Sequence, residues 1–197
     1  MITTVRHFLG VLLVVTLPPA LAYWFVIHPF AHRWRRLDVR VTYSIVILLM
    51  IGLGSLLFIT RATLLGRDLG TNWLLIGAGA VLYLGAVALT LRVRRQLTFQ
   101  TFAGVPEVSG TAAPGQLLQD GIYGVIRHPR YLSVILGTAA MALIVNYAGV
   151  YLVVLAGLLG LAPLIRLEER ELAARFGAAY TAYRARVPAL IPRLPPR

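Results

Sequence analysis

Residues 121–131 read GIYGVIRHPRY and lead directly into an apolar segment of the chain. Proline fits the first turn of a helix because its missing N–H has no hydrogen-bond partner there. Pro129 therefore predicts a helix start, with His128 as the capping residue. The free N–H groups of a first helical turn favour an anion, and Arg127 and Tyr123 lie just upstream as further donors. Either this turn holds an anionic ligand, or the arginines extend to lipid head groups and His128 only caps the helix.

A second polar cluster, residues 168–188, reads EERELAARFGAAYTAYRARVP. We predict one helix over about 163–186. At 100° per residue, Glu169 lies on an apolar face of that helix, Glu168 at its edge and Glu171 outside it. The other members of the face are Phe176, Tyr180 and Tyr183. A carboxylate on an apolar face needs a cation, a donor or a proton, so Glu169 either meets a ligand or forms a structural salt bridge. The tyrosines are either pocket residues or interfacial anchors.

The composition favours a membrane protein over the alternative of a very hydrophobic soluble protein. The 197 residues are 58% hydrophobic with a mean hydropathy of +0.77, and a soluble protein of this size would expose too much apolar surface. The chain has no cysteine, so it forms neither disulfides nor cysteine-ligated metal sites. Its four histidines have no metal-ligand spacing with a carboxylate, and we expect no metal.

Three apolar stretches precede the first cluster, at about 8–27, 41–59 and 69–91. Each is close to the roughly 20 residues that a membrane-spanning helix needs. Pro18 and Pro19 predict a kink in the first stretch. A cleaved signal peptide is the alternative there, but no small-residue cleavage site follows. The small residues expected at close helix contacts in the third stretch are Gly77, Gly79 and Gly85.

Residues 92–120 form a long polar connection with several glycines and prolines, which predicts an irregular loop with a function. Two apolar runs follow, and Asn146 between them predicts a helical hairpin that crosses the membrane fully or stops partway. The expected fold is all-α: an integral membrane bundle of about five helices, the last two a hairpin, plus a cytoplasmic amphipathic C-terminal helix. Residues 1–91 are expected to form a three-span scaffold, and 92–197 the loop, hairpin and C-terminal helix of the same integrated domain.

The charge distribution predicts the orientation. The net charge is +12, and all nineteen basic residues are arginine. They fall on one side of the predicted spans, except for Arg6, Arg61 and Arg67. The positive-inside rule therefore places both polar clusters and the C-terminus in the cytoplasm, as in an integral protein of a bacterial inner membrane. The arginines serve this topology or attract anionic lipid head groups. Because they flank apolar spans, we expect lipids as partners and no nucleic acid.

Residues 117–194 resemble the isoprenylcysteine carboxyl methyltransferase family, and more broadly the membrane methyltransferases that include phospholipid N-methyltransferases. The resemblance rests on the order and spacing of motifs around an apolar hairpin. Those motifs are Gly121-Ile122-Tyr123, Arg127-His128-Pro129 with Tyr131, Glu168-Glu169 with Leu172, Phe176-Gly177, Tyr180, Tyr183, Val187-Pro188 and Pro192. The chain departs from the family at two positions. Arg130 is a bulky charge at a variable position, and Ser133 stands where glycine is common.

The resemblance implies a methyltransferase that uses S-adenosylmethionine, with its cofactor pocket facing the cytoplasm and a lipophilic acceptor entering from the bilayer. The residues expected to bind the cofactor are Tyr123, Arg127, His128, Pro129, Tyr131, Glu168, Glu169, Tyr180 and Tyr183. The residues expected to act in catalysis are Glu169, Arg127 and Arg186. An arginine suits a carboxylate acceptor because its donors form a bidentate clamp. With an amine or thiol acceptor, Glu169 or His128 would take the proton.

Two alternatives stay open. A phospholipid N-methyltransferase or a small-thiol methyltransferase would share the same fold. A non-enzymatic membrane subunit or a transporter would belong to another class, and transporters usually carry charges within their spans and repeated halves. Here the ionisable residues lie at the ends of the spans, and no internal repeat is evident.

Overall fold

The structure is a computed structural model that describes residues 1–27, 30–34, 36–96 and 117–192. Most of the predicted irregular loop, residues 97–116, lies outside the described residues. Every regular element within them is helical, and they include one short 3-10 helix, Gly121–Gly124. The α-helices are α1 Ile2–Ile27, α2 Ala31–Trp34, α3 Val39–Ile59, α4 Arg61–Leu65, α5 Trp73–Arg94, α6 Pro129–Val145, α7 Ala148–Phe176 and α8 Ala178–Arg186.

Among these helices, α1, α3, α5 and α7 are long and apolar enough to cross a membrane. The fifth apolar helix, α6, has 17 residues. At 1.5 Å per residue it is about 26 Å long, slightly less than the roughly 30 Å of a hydrocarbon core. Large apolar side chains of α3, such as Leu48 and Ile51, remain exposed, as lipid-facing residues do. The predicted integral membrane bundle of about five helices is confirmed.

The hairpin turns at the predicted residue. Helix α6 ends at Val145, and Asn146 adopts a left-handed conformation with φ 53°, which asparagine tolerates better than most residues. Helix α7 then begins at Ala148. The Asn146 amide donates to the carbonyl of Gly70 at 2.9 Å, and the Tyr151 hydroxyl donates to the Asn146 Oδ1 at 3.0 Å. The turn is therefore tied to the loop that precedes α5.

The third span, predicted to start at about residue 69, starts later in the structure, after this loop. The helix begins at Trp73 because the side chain of Asn72 caps it, accepting from the backbone N–H groups of Leu74 and Leu75. Further along α5, a Cβ at Gly79 would lie 2.7 Å from Ile144, so the absent side chain allows α5 to approach α6 closely. The predicted contact role is wrong for Gly77 and Gly85, where a Cβ would meet nothing within 4 Å.

A buried arginine, Arg6, lies at the end of the bundle where the α6–α7 hairpin turns. Arg6 on α1 is 1% exposed and forms an ion pair of 2.5 Å with Asp68. Its guanidinium also donates to the Val145 carbonyl at 3.0 Å, the Thr71 hydroxyl at 3.1 Å and the Asn146 carbonyl at 3.3 Å. We call Arg6, Asp68, Thr71 and Asn146 the Arg6 network. It joins the N-terminal helix, the loop before α5 and the hairpin turn.

The predicted single helix over 163–186 is wrong at its start and in its continuity, although a helix does end at Arg186. Helix α7 runs from Ala148 through Pro163 without a break, so the charged segment continues the second arm of the hairpin. It ends at Phe176, because Gly177 has φ 53° and ψ −127°, a conformation that favours glycine. The short helix α8 then packs against α7 and buries Tyr180 and Tyr183.

Candidate active site

The first polar cluster is built as the sequence predicts. His128 is the N-cap of α6 and Pro129 is its first residue, although the His128 side chain makes no capping hydrogen bond. Two backbone hydrogen bonds fix the approach to the helix. The N–H groups of Arg127 and His128 donate to the carbonyls of Pro188 at 2.8 Å and Ala189 at 2.9 Å. The helix start therefore lies directly against the segment that follows α8.

The second cluster presents Glu169 to this helix start. Glu169 is 8% exposed, and its Oε1 accepts from the Arg127 Nε at 3.1 Å and from a terminal nitrogen of the same guanidinium at 2.6 Å. The same oxygen lies 3.1 Å from the His128 Nε2. The second carboxylate oxygen of Glu169, Oε2, lies 3.5 Å from the Arg184 Nε. The structure thus joins the two predicted clusters through one carboxylate.

Glu169 lies beyond the membrane-spanning part of α7. The helix has 29 residues, about 44 Å at 1.5 Å per residue, which exceeds a hydrocarbon core of roughly 30 Å. Its apolar part ends before Arg166, and Glu169 follows. The hydrogen bond from His128 lowers the pKa of Glu169 to about 2, and the hydrogen bonds and charge of Arg127 add to this effect against the opposing effect of burial. Glu169 is therefore ionised at neutral pH.

The N–H donors of Arg127 bind acceptors within the protein. Besides Glu169, its guanidinium donates to the carbonyl of Arg184 at 3.2 Å and to that of Val187. The side chain thus connects α7, the start of α6 and the end of α8. The contacts of Arg127 therefore fix the positions of these three segments relative to one another.

Two polar atoms beside these contacts remain without a hydrogen bond. The Glu168 Oε2 is buried, lies 3.7 Å from the His128 Nδ1 and has no hydrogen-bond partner among the described residues. The Tyr180 hydroxyl is also buried and forms no hydrogen bond of normal geometry in the described part of the chain. Buried polar groups are nearly always paired, so these two atoms are candidates for contact with a ligand or a water molecule. We call Arg127, His128, Glu168, Glu169 and Tyr180 the Glu169 cluster.

The predicted tyrosines surround this cluster. The Tyr183 hydroxyl donates to the carbonyl of Tyr123 at 2.7 Å, and the rings of Tyr180 and Tyr183 meet edge to face. The ring of Tyr131 lies 5.7 Å from that of His128. Burial raises the pKa of Tyr123, Tyr180 and Tyr183 to about 12 each, so all three stay neutral phenols at physiological pH.

Arg186 lies outside the Glu169 cluster. It is exposed and donates to the side chain of Gln119 at 3.0 Å. Arg184, which the sequence did not single out, is the residue of α8 that contacts Glu169. Its contact depends on the break at Gly177, and no local pattern in the sequence indicates it.

A cavity of about 540 Å³ adjoins the cluster, and no sequence motif predicts it. It lies between α1, α5, α6 and α7, and Tyr131 is part of its wall. Its other lining residues are Leu17, Ala20, Leu21, Trp24, Tyr83, Ala86, Val87, Thr90, Leu91, Val93, Arg94, Arg130, Ser133, Val134, Gly137 and Leu161. The Arg130 guanidinium lies over the ring of Trp24, 4.1 Å from its centroid. Within the described ranges, no three His, Asp or Glu side chains gather as a metal site would require.

Comparison with known proteins identifies the family. Residues 74–179, just over half of the chain, match the sequence profile of a family described as "Phospholipid methyltransferase". The chain belongs to this family. The matched region extends from α5 to α8 and contains Arg127, His128, Glu168 and Glu169. The resemblance to membrane methyltransferases is thereby confirmed.

One relative is similar over a substantial part of the chain. It is "Methanethiol S-methyltransferase 2" of Bradyrhizobium diazoefficiens, which is 36% identical over 126 residues. The alignment covers 62% of this chain and 47% of the relative, so it spans about half the length of that protein. No solved structure matches the chain significantly.

Proposed function

We propose that the protein is a membrane-embedded methyltransferase that uses S-adenosylmethionine and acts on a lipophilic acceptor. One observation carries the proposal: the Glu169 cluster, with two unpaired polar atoms, adjoins a largely apolar cavity inside a membrane bundle. Membership of the phospholipid methyltransferase family favours this function over a transporter or a non-enzymatic subunit.

The Glu169 cluster fits the cofactor chemically. The free Glu168 Oε2 is an acceptor for an amino group or a sugar hydroxyl, and the Tyr180 hydroxyl is a neutral donor. Tyr123, Pro129, Tyr131 and Tyr183 would form the apolar and aromatic walls around that contact. When bound, the cofactor supplies a methyl group activated by a sulfonium. The protein then has to hold the acceptor in line with that group and exclude water.

Within this site, we assign Glu169 and Arg127 as positioning residues. Glu169 is ionised, and its carboxylate oxygens already contact Arg127, His128 and Arg184. We therefore do not assign it the role of proton acceptor at neutral pH. Its contacts fix the His128 ring beside Glu168, and Arg127 ties that arrangement to the carbonyls at the end of α8. A carboxylate acceptor would need no base, only a cationic clamp.

A thiol acceptor is the second candidate, and the name of the Bradyrhizobium relative favours it. The family description favours a phospholipid amine instead. An acceptor screen with radiolabelled S-adenosylmethionine and purified protein separates these classes. Transfer to amphiphilic carboxylates, thiols and amines is measured in parallel, with no acceptor as the blank.

We further propose that both clusters and the C-terminus face the cytoplasm of a bacterial inner membrane, since the arginines favour that side. A C-terminal alkaline phosphatase fusion is expected to be inactive and a fluorescent protein fusion bright. Strong phosphatase activity in a full-length fusion would reverse the orientation.

Cofactor binding is tested without any acceptor, by calorimetric titration of S-adenosylhomocysteine into detergent-purified protein. We expect His128→Ala to weaken binding roughly ten- to a hundredfold, because a charge-assisted contact in a desolvated site contributes about 1.5–3 kcal/mol. His7→Ala, at the other end of the bundle, is the matched control. Unchanged affinity in a well-folded His128→Ala protein would leave His128 as a helix cap only.

A further inference from the structure

We infer that Arg184 and Glu168 together bind the amino-acid end of S-adenosylmethionine, the end that carries a carboxylate and an ammonium group. This role rests on the proposed function, because it concerns how the protein holds that cofactor. Glu168 alone could accept from an amino group or from a sugar hydroxyl. A cation on the same side of the site favours the amino-acid end, since a ribose carries no charge for it to bind.

The guanidinium of Arg127 is not available to a ligand carboxylate. Its Nε and one terminal nitrogen donate to Glu169. Its other terminal nitrogen donates to the carbonyls of Arg184 and Val187. All three of its nitrogens therefore have acceptors within the protein, and a carboxylate bound at this site needs another cation.

Arg184 is a cation whose donors are only partly used. Its Nε lies 3.5 Å from the Glu169 Oε2, whereas its two terminal nitrogens have no acceptor within the described part of the chain. The backbone carbonyl of Arg184 accepts from Arg127 at 3.2 Å, which holds the residue against the Glu169 cluster. While its Nε faces Glu169, the guanidinium can present both terminal nitrogens to a ligand carboxylate, in the bidentate geometry that suits this pair.

Glu168 supplies the opposite charge. Its carboxylate forms no hydrogen bond with the residues that the structure describes, and its Oε2 lies 3.7 Å from the His128 Nδ1. The other nitrogen of that ring lies 3.1 Å from the Glu169 Oε1. Glu168 and Arg184 thus lie at the two ends of one series of polar contacts that passes through His128 and Glu169. A negative and a positive group that each lack a full partner are together complementary to a zwitterion.

The exposure of these side chains indicates from which side a ligand reaches them. The side chain of Arg184 is 59% exposed and that of Glu168 30%, whereas that of Glu169 is only 10% exposed. The site therefore opens to water along the edge formed by Arg184 and Glu168. Because the amino-acid end is the charged end of the cofactor, its binding at this edge leaves the buried side, beside His128 and Tyr131, for the part that carries the methyl group.

The test compares ligands that lack one charge at a time, and it requires no methyl transfer. Detergent-purified protein is titrated calorimetrically with S-adenosylhomocysteine, with its analogue without the carboxylate and with its analogue without the amino group. We expect Arg184→Gln to weaken the two ligands that carry a carboxylate about tenfold and not to weaken the third. Glu168→Gln should weaken the two ligands that carry an ammonium group and not the analogue without it.

Two control variants separate a direct contact from a general effect of charge. Arg184→Lys keeps the charge but not the fork of donors, so it should retain part of the preference for a carboxylate. Arg170→Gln removes the same charge from an exposed position of α7, the residue after Glu169. All three affinities should stay at their wild-type values in that protein.

If Arg184→Gln weakens all three ligands equally, Arg184 only supports Glu169, and the inference is overturned. Unchanged affinity for S-adenosylhomocysteine in that variant overturns it as well. In both cases the wild-type protein still binds S-adenosylhomocysteine, so the proposed function stands. A wild-type protein that binds none of the three ligands would refute the proposed use of the cofactor, and the role of Arg184 and Glu168 with it.

Discussion

The two ends of the bundle each contain an arginine paired with a carboxylate, but the two networks differ in completeness. In the Arg6 network, every nitrogen of the guanidinium has an acceptor, and both polar atoms of the Asn146 side chain are bonded. In the Glu169 cluster, the Glu168 Oε2 and the Tyr180 hydroxyl form no hydrogen bond of normal geometry with the described residues. A complete network stabilises the fold, whereas an incomplete one leaves contacts for a ligand.

The largest effect that this comparison predicts is on stability at the Arg6 end. Asp68→Ala leaves the buried Arg6 guanidinium without a counter-ion, and an unsatisfied buried charged group costs about 2–3 kcal/mol, less than for a fully buried pair because Asp68 itself is exposed. We expect that loss in the free energy of unfolding, measured by reversible unfolding in mixed detergent and SDS micelles. S-adenosylhomocysteine affinity of the folded variant should stay unchanged.

The double variant Arg6→Met/Asp68→Ala is the control for that experiment. It removes both charges, so most of the lost stability should return. If the double variant is as unstable as Asp68→Ala, the penalty comes from lost packing and not from an unpaired charge. If Asp68→Ala also greatly lowers S-adenosylhomocysteine affinity, the Arg6 network supports cofactor binding and the two networks do not differ in function.

The next largest effect is expected for Glu169→Gln, which weakens the contacts that hold Arg127 and His128. We expect S-adenosylhomocysteine affinity to fall roughly ten- to a hundredfold, and methyl transfer to fall with it. Affinity is measured by calorimetric titration and turnover with labelled cofactor, both at matched expression. Wild-type values for both quantities would remove Glu169 from the site.

Glu168→Gln sharpens the comparison because the Glu168 Oε2 forms no hydrogen bond with the described residues. We expect cofactor affinity to fall by about tenfold, a smaller effect than for Glu169→Gln, with no loss in the free energy of unfolding. Calorimetry and detergent unfolding on one preparation give both numbers. A destabilised protein with normal affinity would assign Glu168 to the structure of the apoprotein instead.

The smallest effect is expected for Glu171→Gln, on the face of α7 directed away from Arg127 and His128. Its predicted pairing with Arg175 one turn later contributes only about 0.3–0.5 kcal/mol, so affinity and turnover should be nearly unchanged. This variant is the matched control for the other two glutamates. An effect as large as that of Glu169→Gln would show that the helical phase assigned to these residues is wrong.

Local rules were sufficient for the parts of the site that depend on neighbouring residues. Pro129 and His128 mark a helix start through the missing N–H of proline, and Asn146 marks the turn of the hairpin. Helical phase alone identified Glu169 as the inward carboxylate, and it is the buried one. Each of these inferences needs no more than one or two turns of chain.

The remaining features depend on contacts between distant residues. Arg6 and Asp68 are 62 positions apart, so the sequence does not indicate that Arg6, which the positive-inside rule counts only as a charge on the less basic side, is buried in an ion pair. A glycine inside a helix costs only about 1 kcal/mol, so Gly177 taken alone does not predict a helix break. The motif Phe176-Gly177 was a usable signal, because glycine commonly follows the last residue of a helix.

The backbone pairing of Arg127 and His128 with the segment after α8 sets an order of assembly during synthesis. The Arg127 side chain reaches the carbonyl of a residue 60 positions later, and the two neighbouring amides bond to the next two carbonyls. At about 5–20 residues per second, the ribosome needs roughly 3–12 s to make that stretch. The hairpin can enter the membrane during this interval, but the site cannot close. A chain released before residue 187 would therefore carry the apolar helices α1, α3, α5, α6 and α7 and still lack the contacts that join Arg127 and His128 to the segment after α8.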